Sequence, residues 1–214
     1  MKTKYVPMPN KSKKAMQKRL NEMYANEEAK QMWGKIERIY REFVETSPDI
    51  GGKKNPMCGS FYGAIACFAW YEAFERKLSL EEMDQILRDN MVGDTSGMKK
   101  VMERVDLNNP ILQKIVNKCM ESTAKKLNAR KADGSWNNTW GMRVNPLNRK
   151  EGISMHLDGC PIVDFAKKHG YMDLMPVFCG SDYVMIEEGM GKKLIREHIV
   201  ADGDEECDYW IVNC

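Results

Sequence analysis

The side chains able to do chemistry crowd into the last third of the chain. His156, Asp158, Cys160, Cys179, Asp182, Glu187, Arg196, His198 and Cys207 all lie beyond residue 155. Cys160 is the most specifically placed, in the run MHLDGCPIVDF at 155–165. Pro161 behind it suits the first turn of a helix, which makes Cys160 the expected N-cap. Unpaired N–H groups and the positive end of the peptide dipoles meet there, so a thiolate is stabilised and the cysteine pKa falls. His156 and Asp158, two apart on the strand-like run before it, share a face, so an imidazole and a carboxylate would be turned towards the thiol. The alternative is a buried packing thiol, as most cysteines are.

Cys179 and Asp182, three apart on a helix, also share a face. A carboxylate beside a thiol disfavours a second negative charge. Asp182 is therefore read as a general base for water, or as the orienter of an imidazole or substrate amine, and not as the activator of Cys179. A capping Asp at a helix start after Gly180-Ser181 is the plainer alternative. Arg196 shares a strand face with Leu194 and His198; turned inward, its fork would hold a substrate carboxylate, and turned outward it is an edge-strand charge. Cys207 alternates with Tyr209 and Ile211 on one strand face, where packing is its default role. Cys58, Cys67 and Cys119 sit in apolar helical surroundings and are expected in the core. His169 closes a helix, a structural place.

Dinucleotide and phosphate loops, the nucleophile elbow and the H-E-x-x-H zinc motif are absent. No C-x-x-C pair exists, so a structural zinc has little support. Three cysteines with Asp182 or His156 would make a metal site only across wide spacings. No metal and no cofactor is expected.

The elements that position these residues are legible in outline. Apolar residues recur at steps of three and four over 12–44, one helix face broken near Asn26 and ended by Pro48, Gly51 and Gly52. Asn55-Pro56 reads as a cap before a helix over 57–76 that is apolar nearly all round and so should be central. Ser79-Leu80-Glu81-Glu82 is a capping box. Asn109-Pro110 opens a further helix over 111–127, and 131–138 reads as a loop. Then 140–144 and 153–157 are strand-like. Residues 160–169 form a helix closed by Gly170. Residues 171–188 are helical with an interruption near Pro176. Residues 193–201 and 207–212 make a hairpin across Asp202-Gly203-Asp204. The expected class is α+β, a helical N-terminal half packed on a small antiparallel sheet with further helices in the C-terminal half. The chain is read as a single domain over 1–214, with a helical arm at 1–48, a helical part at 49–130 and an α+β part at 131–214 that carries the site.

At 43% hydrophobic and 30% charged residues, the 214-residue chain has the composition of a soluble protein with a substantial core. A net charge of +2 argues against nucleic acid as a partner. Seven basic and no acidic residues precede Leu20; a solvated helix start is the plainer reading of them, an anionic partner the sharper one. The least polar run, 57–71, is too short to span a bilayer, which needs about 20 residues, and no membrane partner is expected. No export signal is visible, and seven widely spaced cysteines read as reduced thiols in the cytoplasm. A small-molecule substrate is the expected partner, and self-association into a homo-oligomer is left open.

Four pieces in order carry a family likeness: NPMCGSFYGAIACFAWYEAF at 55–74, HLDGCP at 156–161, FCGSD at 178–182, and an arginine followed by G-x-x-x-C-x-aromatic, here Arg196, Gly203, Cys207 and Tyr209. Over about residues 50–211 the chain resembles the L-2-amino-thiazoline-4-carboxylic acid hydrolase family. The resemblance implies a hydrolase acting on a carbon–nitrogen bond, not a peptide bond, in a cyclic amidine, as the founding enzyme opens a thiazoline ring to N-carbamoyl-cysteine. It implies a site with a cysteine thiolate and a carboxylate: Cys160 as nucleophile or essential thiol, Asp182 as general base, His156 as proton shuttle, Arg196 on a substrate carboxylate, and Cys179 and Cys207 completing the pattern. A related cysteine pattern in 4-vinyl reductase-type domains makes a non-catalytic small-molecule-binding or sensory module the second expectation.

Overall fold

Two helices account for the early periodicity, and they part where Asn26 predicts. In the computed structural model, which describes residues 5–92, 96–136 and 138–214, α1 (Asn10–Met23) buries Met16 and Leu20, and α2 (Asn26–Thr46) buries Ile36, Tyr40 and Val44. Lys2 and Lys4 of the basic start lie outside the described residues. The chain divides into two compact units, one made of Met1–Gly93 and Phe165–Ser181, the other of Asp94–Asp164 and Asp182–Cys214.

The first unit is helical. Its central α3 (Cys58–Ala73) is buried at every residue from Phe61 to Tyr71, as an all-round apolar helix must be. Asn55 does not cap it directly. Its carboxamide accepts from the Met57 N–H at 2.8 Å and donates to the Ile50 carbonyl at 2.7 Å, and the helix starts only at Cys58. The capping box before α4 (Leu80–Leu87) is complete: Glu82 N–H donates to Ser79 Oγ at 3.2 Å, and Ser79 N–H donates to Glu82 Oε2 at 2.7 Å. Phe68 of α3 stacks on Phe178, Tyr171 and Phe165, with centroids 4.5, 5.0 and 5.4 Å away.

The second unit holds α5 (Ser96–Met102), which sequence periodicity does not reveal, and α6 (Pro110–Ala132). Asn109 Oδ1 accepts from the N–H groups of Ile111 and Leu112 at 3.0 and 3.1 Å, the cap that the Asn-Pro pair predicts. Asn109→Ala should cost about 1 kcal/mol, read as a lower urea midpoint at unchanged slope. Because α6 runs to Ala132, the loop expected at 131–138 begins later; its Asn137 lies outside the described residues. Four strands follow, β1 (Gly141–Val144), β2 (Ile153–Asp158), β3 (Lys192–Ile195) and β4 (Glu206–Asn213), antiparallel in the order β1-β2-β4-β3. The expected α+β class is met. Asn128 ties α6 to β1 through two 2.8 Å bonds, one to each backbone polar group of Met142.

The last hairpin has a shorter first strand than 193–201. After Ile195 the N–H groups of Glu197 and His198 turn to Asp208 Oδ1, at 2.9 and 2.6 Å, and a carboxylate replaces the strand partner. Between the strands run α7 (Pro161–His169), closed by Gly170 at φ +72°, and α8 (Met175–Tyr183), in which Pro176 occupies the first turn and interrupts nothing. A wide turn, Val184–Glu188, continues α8.

Candidate active site

Strand parity sorts the predicted residues onto two faces of the sheet. Leu157 pairs with Cys207 and Met155 with Tyr209, so Cys207 and Tyr209 share one face. His156 pairs with Arg143 on one side and with Asp208 on the other, which puts it on the opposite face. His156 and Asp158 do share a face, as their spacing predicts, but it is not the face of Cys207 and Tyr209. Each has its own partner there. His156 Nδ1 lies 2.7 Å from Glu206 Oε1, and Glu206 also pairs with the Arg143 guanidinium. Asp158 accepts the Lys131 ammonium at 2.8 Å.

The other face carries a buried polar cluster built from three elements. Asp182 comes from the end of α8, Tyr209 from β4, and Arg196 from the residue that follows β3. The Arg196 side chain is 1% exposed and donates from Nη1 to Asp182 Oδ2 at 2.8 Å. The Tyr209 hydroxyl donates to the same oxygen at 2.8 Å, and Arg196 Nη1 lies 3.4 Å from the Tyr209 oxygen. The guanidinium carbon also sits 5.0 Å from the Tyr183 ring centroid and 5.3 Å from that of Tyr209. Burial pushes the Asp182 carboxyl above its ordinary range, while Arg196 and Tyr209 pull it part of the way back. Asp182 keeps 26% of its side chain exposed and is the one charge of the ion pair within reach of solvent. Asp182 lies within the helical run of α8 and does not start it. Arg196 points inward, and its Nη1 donates to the protein's own Asp182.

Cys160 stands where the sequence puts it. Gly159, at φ +66°, turns the chain out of β2, a backbone that glycine adopts without strain. Cys160 then caps α7, its carbonyl accepting the Asp164 N–H at 3.0 Å. Its protonation is the reverse of the expectation. Burial pushes the thiol up from 9.0 to about 11, although the N–H groups of Val163 and Ile162 and the Trp140 side chain all act to lower it. A helix end contributes only about 0.3–1 kcal/mol, and losing the hydration of a thiolate outweighs that. Cys207 lies near enough for its charge to raise Cys160 further. The Cys207 thiol is itself pushed up by burial, with the Val200 N–H, 3.3 Å from its sulfur, and Arg196 drawing it down and Asp182 opposing them. Alkylation of Cys160 should therefore be slow at pH 7 and accelerate towards pH 11, well after the exposed Cys119 and Cys214 have reacted. Peptide mass spectrometry across a pH series checks this, and half-maximal reactivity below about pH 8 would restore the stabilised thiolate. The matching stability sign is that the protonated thiol favours the fold below pH 9 and loses that contribution as pH rises through about 11.

The second unit thus gathers Cys160, Cys207, Asp182, Arg196 and Tyr209. Cys179 lies three residues before Asp182 on α8, on the first unit's side of the division. Cys67 is buried as expected, whereas Cys119 is exposed. It lies on the same outward stripe of α6 as Ile111 and Ile115, while Ala124 and Leu127 face in. Tyr209 and Trp140 are the site residues that the chemistry of the sequence passes over. Tyr209 had a signal, the aromatic two residues after Cys207; Trp140 had none. Among the described residues, a set with ligand atoms close enough to share a metal ion is Glu197, His198 and Asp208, on the hairpin connection. No described helix is long and apolar enough to cross a membrane.

An antiparallel sheet flanked by helices, carrying a buried carboxylate, guanidinium and phenol near two thiols, defines an α+β protein. The chain belongs to the L-2-amino-thiazoline-4-carboxylic acid hydrolase family, whose model matches residues 60–211. No curated protein and no solved structure matches it.

Proposed function

We propose that this chain is a cytoplasmic hydrolase that opens a cyclic amidine at the carbon between its heteroatoms, with Asp182 as the proton-transfer group. Family membership supports the reaction class. The observation that carries the reading is the Asp182 carboxylate, largely buried, fixed on one oxygen by Arg196 and Tyr209, and raised by burial above its ordinary pKa. Water attacks the amidine carbon as Asp182 removes its proton. The ring bond to sulfur or nitrogen then breaks, and Asp182 returns the proton to the departing atom. One water is consumed and the protein is regenerated. Arg196 is a positioning residue here: it keeps Asp182 oriented and charged, and it is too buried to serve the substrate. Cys160, a thiol at neutral pH, lines the site as an S–H group, and His156 takes no part.

The test is ring opening of 2-amino-thiazoline-4-carboxylate and of a panel of other cyclic amidines, followed by release of product. Cys160→Ser should keep turnover within about tenfold and form no covalent adduct. A loss beyond about a thousandfold, with an adduct trapped on the wild-type thiol, would make Cys160 the nucleophile. The buried, neutral Cys160 and Cys207 favour a second reading, a non-catalytic small-molecule-binding or sensory module. Saturable binding of an amidine with no turnover across the panel would select it.

A further inference from the structure

The first unit contains a cleft of about 580 Å3 that lies away from Asp182 in the sequence and has no part in the hydrolysis proposed above. One wall is α2, which presents Lys35, Glu42 and Phe43 and precedes the family's matched span of 60–211. The other wall is the chain just past α3 together with the end of α7. Two consecutive non-glycine residues there, Glu75 and Arg76, hold left-handed backbone at φ +57° and +59°. Glycine would close a helix at lower cost, and both side chains line the cleft. The Arg76 N–H to Tyr71 carbonyl bond, 3.0 Å, closes the turn.

The cleft has an aromatic floor and charges of both signs. His169 stacks on Phe165 at 4.2 Å and lies 5.2 Å from Phe43, and its Nε2 is buried without a hydrogen-bond partner. A buried polar atom left unpaired is uncommon enough to need an explanation, and a bound molecule is one. Arg76 is committed to Glu72 at 2.7 Å and stacks over Tyr171 at 4.6 Å; Tyr171 donates to Glu72 at 2.6 Å. Glu75 is paired with Lys77 at 2.6 Å. What remains among the described residues is one cation and one anion outside any close ion pair, Lys35, which acts on Glu75 only through space, and Glu42, seven residues apart and so on one face of α2.

We propose that this cleft binds a zwitterionic α-amino acid with an aromatic side chain: its carboxylate at Lys35, its ammonium at Glu42, its ring on Phe43 and His169. Burial, with Lys168 and Arg76, lowers the His169 pKa and keeps the imidazole neutral at pH 7, so that it can stack and share one proton. A ligand carrying a single charge satisfies only one of the two side chains.

Three probes with one ring separate the possibilities: L-phenylalanine, phenethylamine and 3-phenylpropionate. The chain has only three histidines, so the ring protons of His169 are assigned by their loss in His169→Asn. L-phenylalanine should shift the His169 signals saturably and leave His156 and His198 unmoved. Both singly charged probes should bind at least about tenfold more weakly. Lys35→Gln and Glu42→Gln, neither of them buried, should each weaken L-phenylalanine at least about fivefold with an unchanged circular dichroism spectrum. No saturable shift, equal binding of all three probes, or affinity untouched by both variants would overturn the proposal. Turnover of an amidine is not part of this readout, so its failure and that of the hydrolase reading are told apart.

Discussion

Asp182→Asn is expected to lower amidine turnover by about a hundred- to ten-thousandfold, the range over which a positioned acid–base group acts. The substitution is nearly isosteric. Its amide oxygen can still accept from Arg196 and Tyr209, so the geometry is largely kept while the basicity is lost. A second effect comes with it. Arg196, at 1% exposure, loses the carboxylate it is paired with. Removing one partner of a buried ion pair costs about 3–5 kcal/mol, because the other charge stays behind in a poorly solvating place. Arg196→Met in the same chain removes that buried charge, so the double variant should recover much of the stability and none of the activity. Full turnover in folded Asp182→Asn would remove Asp182 from the chemistry. Unchanged stability would mean that Arg196 finds another anion.

Phe68→Ala is expected to cost about 3–5 kcal/mol, the range for emptying an aromatic site in a core. Phe68 is 0% exposed and packs against Phe178, Tyr171 and Phe165, two of which are also less than 2% exposed. Its ring is one side of three contacts, so the alanine leaves three neighbours facing a void. Thermal unfolding should shift down by roughly 6–20 °C for a chain of this size. Phe68→Leu, which keeps most of the volume, should cost well under half as much. A loss below about 1 kcal/mol in Phe68→Ala would mean that the aromatic stack collapses to refill the space and is not a rigid core.

These two positions were not equally legible. Phe68 lies in a run that is apolar on every side, and such a run has to be buried whatever surrounds it. Asp182 offered only a spacing to Cys179, and its real partners, Arg196 and Tyr209, stand 14 and 27 residues away. Cys160 is the intermediate case. Its place at a helix start follows from its neighbours, Gly159 and Pro161. Its charge does not, because the desolvation that holds it protonated comes from whatever covers it. The same contrast separates Cys67 from Cys119. Both sit among apolar helical residues, yet the apolar residues of α6 wind around the helix, so that which side turns inward is undecided until the strand it packs on is known.

The amino-acid sequence by itself determined most of the helices, the caps at Ser79 and Asn109, the α+β order and the family. Each of these rests on residues close in the chain or on a pattern of residue types: a cap reaches two or three residues ahead, a helix face repeats every three or four. Only the tertiary structure decided that His156 turns to Glu206 and away from Cys207, that Arg196 pairs with Asp182, and that burial raises the Cys160 thiol. Those outcomes depend on strand pairing and on burial. Pairing decides which face of β2 meets which face of β4, and burial removes water that no neighbouring residue in the chain can remove.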